Sequence, residues 1–215
     1  MNRLEQKRLE KSLALQAFDR AYPGFGCSLA GMDEVGRGPL LGPVVTACVI
    51  LPPEPVLPGV DDSKKLTPAH REALYDRILE IALFAGIGEA SAQEIDTLNI
   101  LQATKLAMRR AAQTAPATLC LVDAVAGLGL PFATEAILHG DALSYSIAAA
   151  SIVAKVTRDR QMVALSARYP GYGLERNMGY GTAEHIEAIR RQGPCPEHRR
   201  TFIGKWIADA GWGKQ

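Results

Sequence analysis

The sequence predicts an α/β fold in which a mixed β-sheet is covered by helices. Three observations lead there. Two apolar, extended runs enclose a glycine-rich loop near the start, helical and extended segments alternate through the middle, and helices fill the end. At 215 residues, 47% hydrophobic and 22% charged, the chain can bury a core and holds one domain with small appendages. We divide it into a helical lead-in over 1–27, an α/β domain over 28–191 and a helical tail packed on that domain over 192–215.

The elements follow in order. From about Leu4 to Phe18, Leu9, Leu13 and Ala17 recur at helical spacing, and the helix ends before the turn residues Tyr22-Pro23-Gly24. Ser28 to Asp33 is a short extended segment. Gly36-Arg37-Gly38-Pro39 turns the chain into Val44–Leu51, a β-branched run closed by prolines at 52, 53 and 55. Thr67 reads as an N-cap with Pro68 at the first helical position. Ala82 to Ala90 is a strand, Ser91 or Ala92 opens a helix, and Asn99 to Ala112 forms another. Thr118 to Asp123 is a buried strand with a carboxylate at its end, and Pro131 to Leu138 is a further strand. Ser146 to Ala167 is a long helix whose first turns are small and apolar, which permits close packing on a sheet. Ala183 to Arg191 is helical, with one or two short helices after it.

Charge and cysteine usage exclude several classes. Net charge is +1, but the first 154 residues carry 13 Lys and Arg against 17 Asp and Glu, whereas the rest carry 11 against 6. A basic C-terminal third beside an acidic remainder suits a polyanion held near bound metal, although a solvated surface produces the same imbalance. Cys27, Cys48, Cys120 and Cys195 form no CxxC pair, so neither a zinc knuckle nor a disulfide framework is expected. The N-terminus is charged rather than apolar, and no apolar run reaches the ~18 residues of a membrane span. A reducing, aqueous compartment is expected, with the cytoplasm as the default, and a monomer fits the size.

Four carboxylates sit where a core begins. Asp33 and Glu34 follow the first strand, Asp123 ends a later one, and Asp141 precedes the long helix. A carboxylate beside a core needs a countercharge. The runs around these acids contain no obvious basic partner, and a bound cation is the other solution. Oxygen ligands without a histidine or cysteine cluster favour Mg²⁺ or Mn²⁺ over zinc. Because neighbouring strand residues face opposite ways, Asp33 and Glu34 can share a site only where the strand ends. Any one of the four also reads as a strand-end cap; their joint placement points toward in-line phosphoryl transfer.

Longer motifs are more specific. Met32-Asp33-Glu34-Val35-Gly36-Arg37-Gly38-Pro39-Leu40 with Gly42-Pro43-Val44-Val45 resembles the opening signature of the ribonuclease HII family. So do Asp62-Ser63-Lys64-Lys65-Leu66, Asn99-Ile100-Leu101-Gln102-Ala103-Thr104, Leu121-Val122-Asp123, and Gly140-Asp141 followed by Ile147 to Asp159. Gly179-Tyr180-Gly181-Thr182 with His185, and His198-Arg199-Arg200-Thr201-Phe202, complete an ordered match from about Leu29 to Phe202.

The resemblance implies the ribonuclease H fold, a mixed five-stranded sheet flanked by helices. It implies an endonuclease that hydrolyses the RNA strand of RNA–DNA hybrids. Such an enzyme also cuts on the 5′ side of ribonucleotides embedded in duplex DNA, leaving 3′-hydroxyl and 5′-phosphate ends. Asp33, Glu34, Asp123 and Asp141 are similar to the family's acidic metal-binding tetrad, taking Mg²⁺ or Mn²⁺. Gly36, Arg37 and Gly38 match the loop whose main chain reads the ribose 2′-hydroxyl, the group that separates RNA from DNA. Tyr180 matches the tyrosine that packs on the following deoxyribose. Lys64, Lys65, Ser151, Lys155 and Arg158 match phosphate-contacting positions.

Plain structural readings stand beside these: Lys64 and Lys65 as a solvated pair, Ser151 as a packing residue, His185 and His198 as hydrogen-bonders without a catalytic role, Trp206 and Trp212 as core. Two positions depart from the family. Ala124 replaces a glycine after the third acid, and Met178 replaces a lysine before Gly179, so a weaker phosphate contact and lower activity on long hybrids are expected unless Arg176 substitutes. The rival readings are a hybrid-binding module without chemistry and a two-carboxylate glycosidase, for which the glycine and lysine motifs give no support.

Overall fold

A five-stranded mixed sheet organises the computed structural model, which describes residues 2–209. The strands are β1 (Leu29–Val35), β2 (Val44–Ile50), β3 (Phe84–Ala90), β4 (Leu119–Asp123) and β5 (Ala133–Ile137), in the spatial order β3-β2-β1-β4-β5. β1, β2 and β3 form an antiparallel meander, while β1–β4 and β4–β5 are parallel. The chain therefore builds outward from β1 in one direction and then returns to build in the other. The switch in direction falls between β1 and β4, where open α/β sheets place their ligands at the carboxyl ends of the strands.

The helices are α1 (Arg3–Asp19), α2 (Pro68–Ile81), α3 (Ala92–Leu98), α4 (Ile100–Ala111), α5 (Tyr145–Arg168), α6 (Leu174–Asn177), α7 (Ala183–Gln192) and α8 (Arg200–Asp209). Strand alternation divides the core. Ala47, Val49 and Leu51 pack under α5 and α2 with Ala148, Ile152 and Ile78. Ala30, Met32, Cys48 and Ile50 face the other side, under Met108 and Ala111 of α4. Gly31 shows how tightly α5 sits: a β-carbon there would lie 2.1 Å from the Ser146 carbonyl carbon. The small residues at the start of α5 make that approach possible, as the sequence predicts.

The lead-in helix docks differently from expectation. The sequence assigns its inner face to Leu9, Leu13 and Ala17, yet Leu13 and Ala17 are exposed. The buried face is instead Ser12, Leu15, Gln16 and Asp19. Hydrogen bonds make the difference. Ser12 bonds Gly59 and Val60, Gln16 donates to the Pro53 carbonyl, and Asp19 accepts from the amide and hydroxyl of Ser146 at 2.8 and 2.7 Å. Asp19 thus caps α5 from another element, and burial holds its carboxyl above the usual range. At the other end, Leu40, Leu41 and Met162 join Tyr172, Leu174, Ile189 and Ile203 in a core shared by α5 to α8. Trp206 packs against this core, whereas Trp212 lies outside the described residues.

Candidate active site

Parallel pairing brings β1 and β4 to the same sheet edge, and alternation turns Asp33 and Asp123 to the α5 face of the sheet. Asp123 Oδ1 accepts the amide of Gly140 at 2.8 Å, which draws in the turn before α5 and with it Asp141. The result is a cluster in which oxygens of Asp33, Asp123 and Asp141 lie within 4.8 Å of one another. Glu34 stands beside this trio rather than in it. β1 continues through Val35, so Glu34 keeps the opposite strand orientation, which the sequence reading had placed beyond the strand's end. Its Oε1 accepts from Arg37 at 3.3 Å, and its Oε2 is buried with no hydrogen-bond partner among the described residues.

The electrostatics are those of a site short of positive charge. Burial, then the carboxylates of Glu34, Asp123 and Asp141, hold the Asp33 carboxyl well above its usual range. Glu34 is raised by burial against the opposing pull of Arg37. Burial raises Asp123 as well, against the Gly140 amide. The expectation that no basic group serves these acids is corrected in part. Lys64 reaches Asp141 at 3.2 Å from the turn before α2, and Arg37 pairs with Glu34. One exposed ammonium and one guanidinium do not offset four acids.

The sequence-predicted substrate residues divide into two groups. Around Lys64, Asp62 Oδ1 accepts the Lys64 amide and Arg71 donates to the carbonyls of Ser63 and Leu66. Ser151 is buried, accepting the Ser63 amide and donating to the Ala148 carbonyl, so it bolts this turn to α5. Lys65 is exposed and paired with Asp62, and Lys155 is paired with Asp159 at 2.6 Å. Around Tyr180, Arg37 and Gly38 are exposed, and a β-carbon on Gly38 would meet only the Tyr180 ring, at 3.7 Å. Gly36 has φ +93°, and a β-carbon there would collide with Arg158. Arg158 itself is fully buried, its guanidinium bonded to the carbonyls of Leu41, Pro43 and Met178. A phosphate-contacting role does not fit that placement; Arg158 holds loops together. Asp19 escapes sequence reasoning because it acts on backbone far away in the chain, and Arg71 because its partners are carbonyls of the irregular turn just before its own helix.

The two departures have a conformational side. Ala124 and Met178 both adopt φ +50°, the left-handed region where a β-carbon is crowded. Ala124→Gly should therefore stabilise the protein by roughly 1 kcal/mol, read as a higher urea midpoint at unchanged slope; a lower midpoint would contradict the assignment. Met178 packs on the C-terminal core rather than facing outward, and Arg176 is engaged by Glu175 and Glu184. Arg176 is thus not idle, as substitution for a lost lysine would require.

Comparison with known proteins identifies the family. The family model described as ribonuclease HII matches residues 30–206. Ribonuclease HII of Geobacillus kaustophilus is 57% identical over 81% of this chain and 67% of its own length. That of Syntrophotalea carbinolica is 54% identical over 82% and 85%. Among solved structures, ribonuclease H2 from Pyrococcus horikoshii superimposes with a TM-score of 0.70 at 28% identity, covering 85% of this chain and 98% of that one. Ribonuclease HII of Archaeoglobus fulgidus, solved in complex with PCNA, gives 0.68 at 25% identity over 87% and 97%. With its motifs in register along the chain and its acids gathered at the sheet's switch point, the chain belongs to the ribonuclease HII family.

Proposed function

We propose that this chain is an endonuclease that hydrolyses the RNA strand of RNA–DNA hybrids and cuts on the 5′ side of ribonucleotides embedded in duplex DNA. The observation that carries the reading is the convergence of Asp33, Asp123 and Asp141 within 4.8 Å, beside the Gly38–Tyr180 surface. The residues fit Mg²⁺ or Mn²⁺. The donors are oxygens only, burial and the neighbouring carboxylates hold the Asp33 carboxyl well above its usual range, and Glu34 keeps a buried oxygen with no hydrogen-bond partner among the described residues. Asp33, Glu34, Asp123 and Asp141 would hold the ion, which supplies activation of the attacking water and neutralisation of charge on the phosphate and leaving oxygen.

The chain's own residues do the rest. The Gly140 amide fixes the Asp123 carboxylate, and Ser144 and Asp19 fix the start of α5 just after Asp141. Lys64, its side chain largely exposed, balances Asp141 and is placed to take a phosphate oxygen once that charge is met otherwise. Lys65 and Lys155 add phosphate contacts, which govern affinity more than sequence. The exposed main chain of Arg37 and Gly38 reads the ribose 2′-hydroxyl, and the Tyr180 ring, 46% exposed, receives the next sugar. Water is the nucleophile, and the products are a 3′-hydroxyl and a 5′-phosphate, the ends needed for ribonucleotide removal in DNA replication and repair. We place the protein in the cytoplasm as a monomer. No helix among the described residues is long and apolar enough to cross a membrane.

The test is cleavage-site mapping on duplexes carrying one ribonucleotide or a continuous RNA strand, in Mg²⁺, in Mn²⁺ and in EDTA. A single cut 5′ to the ribonucleotide, lost in EDTA, is expected. Tight binding with no cut in either ion would make the chain a binding module instead.

A further inference from the structure

Consecutive residues of the segment before α8 reach both sugar-reading elements. Arg199 is fully buried and, among the described residues, bonded to no carboxylate; its Nη1 donates to the Arg37 carbonyl at 2.9 Å, its Nη2 to Gly36 at 2.5 Å, and both Nε and Nη2 to Gly42. In a planar trans peptide the N–H points opposite to the C=O. With the Gly36 and Arg37 carbonyls turned to the guanidinium, the amides of Arg37 and Gly38 are turned the other way.

His198 reaches the second element. Its Nδ1 lies 3.0 Å from the Cys195 amide, a donor only, so Nδ1 accepts and Nε2 carries the proton. Nε2 is 3.1 Å from His185 Nε2, which must then accept, and His185 Nδ1 donates to the Tyr180 carbonyl at 2.9 Å. One proton arrangement satisfies every contact, and it requires both rings neutral. Their surroundings agree: burial lowers His185 and pushes His198 down to about 3, the edge of Tyr172 packs on both rings, and Arg200 disfavours added positive charge on His198 while Glu184 weakly favours it on His185. Backbone bonds from Arg199 to Leu40, Gly42 to Glu197 and Leu40 to Gly179 tie the three segments together.

We infer that Cys195–Arg199 is a brace that sets discrimination between ribose and deoxyribose, with Arg199 positioning the Gly36–Gly38 main chain and His198, through His185, positioning Tyr180. The inference rests on the reading that those two elements meet the sugars on either side of the cut. Both are positioning residues, since neither is placed to touch the reacting atoms.

The first measurement needs no variant. Long-range ¹H–¹⁵N spectra of the free protein at neutral pH should show His185 protonated at Nδ1 and His198 at Nε2; the opposite tautomers, or charged rings, would overturn the relay. Kinetics then test its purpose on the single-ribonucleotide duplex. His198→Leu is expected to raise KM about tenfold, the effect of one lost hydrogen bond, with kcat and calorimetric Mn²⁺ affinity little changed. His198→Gln, whose amide nitrogen replaces the Nε2 donor, should recover part of the loss. Arg199→Lys keeps the charge but not the fork and should lower kcat/KM on both the single-ribonucleotide duplex and the continuous hybrid, since each presents a 2′-hydroxyl at the cut, with Mn²⁺ affinity little changed. Parent-like KM in His198→Leu and parent-like kcat/KM in Arg199→Lys, or losses in either that come with weakened Mn²⁺ binding, would overturn the brace. If the parent itself cleaves neither substrate, the endonuclease reading fails first, and the tautomers still report on the relay.

Discussion

Asp123→Asn is expected to leave hybrid binding in place and to abolish cleavage. The substitution keeps shape and the acceptor that holds the Gly140 amide, so the turn carrying Asp141 should stay where it is. What it removes is one of three negative charges gathered within 4.8 Å. Charge stabilisation by a bound divalent ion supplies several kcal/mol of transition-state binding, and at 1.36 kcal/mol per tenfold a loss of ~4 kcal/mol lowers the rate roughly a thousandfold. On the proposed reading, the phosphate contacts that dominate affinity would come from elsewhere, from Lys64, Lys65 and Lys155. Single-turnover cleavage and fluorescence anisotropy on the same labelled duplex separate the two effects. Turnover like the parent's would remove Asp123 from the site, and loss of binding alongside cleavage would mean that the turn had collapsed.

How far such a site is legible in the sequence depends on the kind of contact. Strands and long helices declare themselves through local periodicity, so β2 and α5 lie within a residue or two of their predicted bounds and α2 begins at the predicted Pro68. The acids were legible because each sits where an apolar run stops. Glu34 shows the limit: β1 runs on to Val35, so its side chain leaves the strand on the face opposite Asp33, and its carboxylate stands outside the trio while still acting on Asp33 and Asp123. The face of α1 was misread for a related reason. Hydrophobic spacing assumes that apolar burial docks a helix, whereas Ser12, Gln16 and Asp19 dock this one through backbone groups of distant segments. Arg158 was misread likewise, because a basic residue in a nucleic-acid motif looks like a phosphate ligand until its carbonyl partners are seen. Long-range hydrogen bonds to main chain leave no periodic trace in a sequence.

Asp33→Asn should make the metal-free protein more stable while removing its activity. Burial and the neighbouring carboxylates raise the folded-state pKa of Asp33 above the unfolded value of 3.8. The folded state therefore binds more protons than the unfolded one across the interval between those values, and stability falls as pH rises through it. Glu34 and Asp123, also raised, act in the same direction. At neutral pH without divalent ions the parent bears that penalty. Asparagine removes it and keeps the acceptor for the Glu34 amide at 2.7 Å. A gain of about 1–2 kcal/mol is in the range of stabilising substitutions at functional sites, or a rise in Tm of roughly 2–4 °C per kcal/mol for a domain of this size. Saturating Mg²⁺ or Mn²⁺ should narrow or reverse the difference, because the parent binds the ion and the variant lacks a ligand. Melting curves at several pH values, with EDTA and with Mn²⁺, measure all of this. A variant less stable than the parent in EDTA would show that the acids are not in conflict, and the case for a cation-binding site would lose its electrostatic support.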